Sequence, residues 1–206
     1  MRVYKCRKVG GKFSLSKKVV TEVLDVVADG GLVVYPTETV YGLAADPFNE
    51  DAVKRVFKVK RRPKSMPISM AVPSYAAIWF YALLDEHSIK FCEKHMPGPV
   101  TVILRANSRA PTNLVSKDRL IGFRVPEHTV AAQLLRVISP LTATSANRHG
   151  RPPPVTCDEA IEQLGGDVDI YLDAGPCKYR QESTVVDLSD GETRIIRPGA
   201  LSQEDF

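Results

Sequence analysis

Between Lys17 and Ala28, apolar side chains fall at Val19, Val20, Val23, Leu24 and Val27, and the run stops at Gly30-Gly31. That spacing predicts an amphipathic helix with a glycine stop. Leu32 to Tyr35 is a short apolar, β-prone run ended by Pro36, and predicts a strand. Asn49 can cap a second helix that carries Val53, Val56 and Phe57 on one face and closes at Pro63. The end of that helix is expected to aim Lys60 and Arg62 outward, where the helix dipole favours cations. Further helices are predicted over 84–95, 129–138 and 156–164, the last with Thr156 and Glu159 spaced as a capping box. Further strands are predicted over 68–72, 100–104, 120–125, 141–144, 168–172, 184–188 and 194–197. Helices and strands alternate, which points to α/β layering, and the short connections near the end point to a mixed parallel/antiparallel sheet.

With 206 residues, 44% of them hydrophobic and 25% charged, the chain suffices for one domain with its own core, so a single domain over 1–206 is expected. The net charge of +4 permits anionic partners without demanding one. Cys6, Cys92, Cys157 and Cys177 form no CxxC pair, which favours reduced thiols over a zinc module or a disulfide framework. Met1 to Lys8 is basic with no apolar run behind it, and no stretch approaches the roughly 18 apolar residues of a membrane span. A cytoplasmic protein with no membrane partner is expected. GxxxxGK[ST], GxGxxG, HExxH and GxSxG are all absent, and the four histidines lack metal-ligand spacing, so no protein metal cage is expected.

What stands out is polar chemistry at the ends of apolar strands, where open α/β sheets place their ligands. Leu32–Tyr35 delivers Pro36-Thr37-Glu38-Thr39, and Ile121-Gly122-Phe123 delivers Arg124-Val125-Pro126. Leu141-Thr142-Ala143 delivers Thr144-Ser145-Ala146-Asn147, and Ile195-Ile196 delivers Arg197-Pro198-Gly199. Across a cleft from Lys60-Arg61-Arg62-Pro63, the Thr144–Asn147 group would suit a phosphorylated ligand, with cations for charge and hydroxyl and amide groups for placement. Plainer readings remain open at this point. Thr37 and Thr39 could satisfy a turn, and Arg62 could be a solvated helix end. Ser145 and Asn147 could cap the next segment. Arg124 and Arg197 could pair structurally with Glu38 or Glu182, since a charge at an apolar strand end is costly alone.

Taken together these residues resemble the YrdC/Sua family of threonylcarbamoyl-adenylate synthases. The resemblance runs from Gly31 to Gly199 on six ordered motifs. They are Tyr35–Leu43, Lys60–Pro63 (KxRP), Phe123–Pro126, Thr144–Asn147 (SxN), Glu182–Val185 and Arg197–Gly199. It implies a twisted mixed sheet flanked by helices around a basic concave cleft, in the short single-domain form. It also implies formation of threonylcarbamoyl-AMP and pyrophosphate from L-threonine, bicarbonate and ATP. The tRNA would be reached through a downstream transfer complex, with direct RNA contact also open. Thr39, Arg124, Ala143 and Ser183 match threonine-contacting positions, and Arg62, Ser145 and Arg197 match ATP-contacting ones. Lys60 and Asn147 complete the KxR/SxN signature, with Lys60 and Arg62 as the catalytic pair. Mg2+ would be held through the phosphates, with no protein metal site.

Three positions depart from the family pattern: Ala71 where a histidine is frequent, Met66 where a small or polar residue is common, and Pro153 where a serine or threonine often stands. The loop from Arg148 to Thr156 is a candidate gate by its position. Two other readings use the same residues. One is a double-stranded RNA- or tRNA-binding protein of this fold without synthase activity, like the YciO-like branch. The other is a carbamoyl-transfer domain of the hydrogenase-maturation type.

Overall fold

The computed structural model describes residues 1–206. In chain order the strands begin with β1 (Arg2–Lys5), β2 (Arg7–Val9), β3 (Lys12–Ser14), β4 (Val33–Tyr35), β5 (Gly42–Ala44) and β6 (Ser69–Ala71). They continue as β7 (Ala82–Leu83), β8 (Val100–Ala106), β9 (Leu120–Arg124), β10 (Leu141–Ser145), β11 (Ile170–Asp173), β12 (Thr184–Asp187) and β13 (Arg194–Arg197). The helices are α1 (Lys17–Ala28), α2 (Glu50–Lys60), α3 (Glu86–His95), α4 (Thr129–Leu135) and α5 (Cys157–Leu164).

Local chemistry sets the helix ends. Asn49 Oδ1 accepts from the amides of Asp51 and Ala52 at 3.1 and 3.0 Å, and Glu50 and Asp51 place acid in the first turn of α2. That helix ends at Arg61, which turns left-handed at φ 51°, two residues before the proline expected to close it. In α5 only half of the expected capping box forms. Thr156 Oγ1 accepts from Glu159 N at 3.3 Å, but the Glu159 carboxylate takes Val155 N at 2.8 Å.

One sheet runs β1-β11-β4-β5-β10-β6-β9-β8-β12-β13, with β7 beside β8, and β2 and β3 form a separate hairpin. The pairs β1/β11, β11/β4, β6/β9 and β8/β12 are parallel and the remainder antiparallel, so the sheet is mixed, as the short connections near the end predict. The N-terminal strands escape a reading by hydrophobic pattern because they are edge or hairpin strands with mostly exposed, basic side chains.

Alternation along the strands divides the core in two. Leu32, Val34, Leu43, Met70 and Tyr171 point to one face, covered by α2, α3 and α5. Val33, Tyr35, Ala44, Ile170 and Leu172 point to the other, covered by α1 and α4. That second helical layer reaches only as far as Ala71 and Leu141. Beyond it, on β8 and β9, Val100, Val102, Leu104, Ile121 and Phe123 still fill the first core. Their alternate neighbours Thr101, Ile103, Leu120, Gly122 and Arg124 face a cleft instead. These two strands therefore face the first core on one side and the cleft on the other.

The turn leaving β4 is fixed by Tyr41, fully buried, whose hydroxyl donates to Gly175 O at 2.7 Å and accepts from Ala174 N at 3.1 Å. Tyr41→Phe strands both backbone groups. It should cost about 1–3 kcal/mol in urea unfolding, with the slope of the transition unchanged.

Candidate active site

The bare part of the sheet floors a cleft of about 520 Å³. Its floor depends on Gly122: a Cβ there would lie 2.4 Å from Ser69 Oγ, so no larger residue fits between β6 and β8 without displacing that side chain. Beside it, Thr101 Oγ1 and Ser183 Oγ form a buried hydroxyl pair at 2.8 Å.

One side of the cleft is organised around Arg124. Its Nη2 donates to Glu38 Oε1 at 2.8 Å, to Thr39 Oγ1 at 2.6 Å and, at 3.4 Å, to Thr37 Oγ1. Thr37 in turn donates to Val40 O at 2.6 Å and accepts from Thr39 N at 3.2 Å, so the turn and the arginine share one hydroxyl network. Glu38 is only 2% exposed. The ion pair is end-on: Glu38 Oε2 and Arg124 Nε are buried and have no protein partner. Nearby, burial pushes the Tyr35 hydroxyl up to about 12, against the opposing charge of Arg124, so that the phenol stays neutral.

A second side carries Arg62 and Arg197. Arg62 donates from Nε to Met66 O and from Nη2 to Pro67 O, both at 3.0 Å, and so holds the loop that follows it. Arg197 donates to Glu182 Oε1 at 3.0 Å and to Ser183 O at 2.8 Å. This approach needs Gly199, because a Cβ there would lie 2.4–2.5 Å from the backbone of Glu182, Ser183 and Thr184. Glu182 therefore acts electrostatically on both arginines.

The third side is the end of β10. Ser145 Oγ donates to Asn147 Oδ1 at 2.6 Å. The Asn147 amide donates to Arg151 O at 2.7 Å and to Arg148 O at 3.2 Å. Lys60 was expected to project outward, but it is 1% exposed, and its ammonium donates to Asn147 O at 2.8 Å, to Asn147 Oδ1 at 3.1 Å and to Ser145 O. Burial, reinforced by the charge of Arg62 and opposed by Glu182, pulls its pKa down to about 7.

The two clusters Lys60–Pro63 and Thr144–Asn147 therefore meet. Arg62, Arg124, Ala143, Ser145, Ser183 and Arg197 all line the same cleft. Thr39, Lys60 and Asn147 stand behind that lining, bonded to residues within it. Both structural ion pairs considered from the sequence, Arg124 with Glu38 and Arg197 with Glu182, are also present, so the plainer reading and the cleft reading hold together. Ala71 lies in the second core and Met66 on the cleft rim. The Arg148–Thr156 loop is tied at Arg151, Pro152, Pro154 and Val155 by bonds from Asn147, Gln163, Tyr41 and Cys177, which counts against a gate. The sequence reading missed Thr101, Gly122 and Asp118. A polar residue and a glycine inside otherwise apolar strands were the available signals for the first two.

A family model described as "Telomere recombination" (Sua5_yciO_yrdC) matches residues 25–199. A protein of Methanocaldococcus jannaschii, provisionally named threonylcarbamoyl-AMP synthase, is 36% identical over 90% of this chain and 87% of its own length. The threonylcarbamoyl-AMP synthase of Pyrococcus abyssi is 33% identical over 87% of this chain, which spans 54% of that longer protein. The crystal structure of P. abyssi Sua5 complexed with L-threonine superposes on the whole chain with a TM-score of 0.92 at 29% identity, and the chain spans 59% of it.

The buried ion pair yields a test of the site's construction. Arg124→Ala leaves the Glu38 carboxylate buried and unpaired and should cost about 3 kcal/mol, the low end for such a loss because Arg124 borders the cleft. The double variant Glu38→Ala/Arg124→Ala should be more stable than Arg124→Ala alone, as read by urea unfolding of both proteins.

Proposed function

The chain belongs to the Sua5/YciO/YrdC family, and from that premise we propose that it is an ATP-dependent L-threonylcarbamoyladenylate synthase working as one domain over residues 1–206. The observation that carries this reading is the division of one cleft into two kinds of cation. Arg124 is fixed by a carboxylate and two threonines and keeps a buried Nε with no protein partner. Arg62 and Arg197 sit with Ser145 on the remaining walls. The first arrangement suits a single carboxylate, the second a chain of phosphates.

In this reading the threonine carboxylate takes Arg124, with Thr39 holding the guanidinium in place. Ser183 and its partner Thr101 meet the small polar side chain beside Ala143. Arg62, Arg197 and Ser145 place the triphosphate, with Asn147 acting on it through the bond it accepts from Ser145. The threonine amine is carboxylated by bicarbonate-derived CO2, a carbamate oxygen attacks the α-phosphorus, and the bond to the β-phosphate breaks to release pyrophosphate. Arg62 and Arg197 neutralise the charge that develops there, so catalysis is positioning and electrostatics with no covalent nucleophile. Asp118 and Glu182 are the carboxylates of the cleft wall, and Glu182 already bonds Arg197. That donor set fits a Mg2+ carried by the nucleotide with few protein ligands, where it would neutralise phosphate charge. The product would pass to a transfer complex acting on tRNA, in the cytoplasm. No helix here is long and apolar enough to cross a membrane.

The pure protein should release pyrophosphate from ATP only when both L-threonine and bicarbonate are present; folded protein that releases none overturns the assignment. Arg62→Ala should lower that rate at least about tenfold. Its two bonds to loop carbonyls lie at the surface, so it should lose only about 1 kcal/mol of stability.

A further inference from the structure

We propose that Lys60 is a positioning residue whose buried ammonium clamps Ser145 and Asn147 into one turn and reaches the substrate only through them. An ammonium has three N–H donors and no acceptor. Here all three have oxygen partners: Ser145 O, Asn147 O at 2.8 Å and Asn147 Oδ1 at 3.1 Å. Nothing is left to meet a phosphate, and Lys60 is absent from the cleft wall that Arg62, two residues on, helps to form.

The clamp works in both directions along the chain. The Lys60 carbonyl accepts from His149 N at 2.6 Å, so the end of α2 grips the loop after β10 through its backbone as well as its side chain. Asn147 Oδ1 receives both Lys60 and Ser145 Oγ, while its Nδ2 serves Arg148 O and Arg151 O. Only one of the two amide orientations satisfies that set, and the lysine is one of the donors that select it. Ser145, which does line the cleft, is thereby held at a fixed position and rotamer. No carboxylate bonds the ammonium, so its charge rests on carbonyl dipoles, and an anion arriving in the cleft favours the protonated, clamped form.

The activity arm of the test rests on the function proposed above; the exchange arm does not. In Lys60→Met, ligand-free amide exchange at residues 145–151 should quicken at least about tenfold, because the turn loses its tie. The variant should lose at least about tenfold in kcat/KM in the native background and clearly less in an Asn147→Ala background, where one of the three ties of the ammonium is already gone and two backbone ties remain. Unchanged exchange would show that Lys60 does not hold the turn, the same loss in both backgrounds would show that it acts apart from Asn147, and either would overturn the proposal. Should Lys60→Met not fold, the native protein decides. At pH 6, before any ligand is added, the Lys60 ammonium protons should give a slowly exchanging NMR signal, and rapid exchange there would equally overturn the clamp. Native protein without synthase activity but with a protected ammonium would refute the function and leave the clamp standing.

Discussion

Each strand of a sheet presents alternate side chains to two faces, and this chain has helices for only about one and a half of them. Helices α2, α3 and α5 cover the first face, while α1 and α4 cover the second only as far as Ala71 and Leu141. Everything functional follows from that shortfall. Strands whose one set of side chains belongs to a dry core offer the other set to a cleft, so the floor is as rigid as the core beneath it. Thr101 and Arg124 inherit their positions from Val100, Val102 and Phe123, all fully buried. The Arg148–Thr156 loop is tied back to the fold as well, at Arg151 and Pro152.

How much of this was legible in the sequence follows the same physics. Helices with a continuous apolar stripe and a side-chain cap, such as α1 and α2, announce themselves, and α1 runs over Lys17–Ala28 as its periodicity predicts. The edge strand β1 and the β2–β3 hairpin do not, because their stability comes from pairing and their side chains are mostly exposed. Strand-end chemistry was readable as a set: Arg124, Ser145 and Arg197 all reach one cleft although their motifs lie far apart in the chain. The direction of Lys60 was not readable. A lysine in the last turn of a helix has a dipole reason to be there and every solvation reason to point outward. What reverses it is the end of β10, 85 residues away in sequence, bringing three oxygens to the ammonium.

The two ion pairs of the cleft look alike in sequence and differ in energy. Arg197 and Glu182 keep side-chain exposures of 44% and 34%, and a pair that wet contributes about 0–1 kcal/mol. Arg124 and Glu38 keep 11% and 2%, and parting a pair that dry leaves an uncompensated charge worth about 3 kcal/mol or more. A triphosphate can therefore take Arg197 from Glu182 at little cost. A ligand carboxylate cannot take Arg124 from Glu38 on those terms. It has to be received alongside Glu38, at the guanidinium nitrogen Nη1, which makes no bond within the protein and is not among its buried unpartnered atoms. Glu38 then serves as the fixed counterion that lets a cation stand ready at the cleft, and a ligand takes donors that Glu38 leaves unused. Under the proposed function, what that side of the cleft offers a carboxylate is set by its remaining donors more than by net charge.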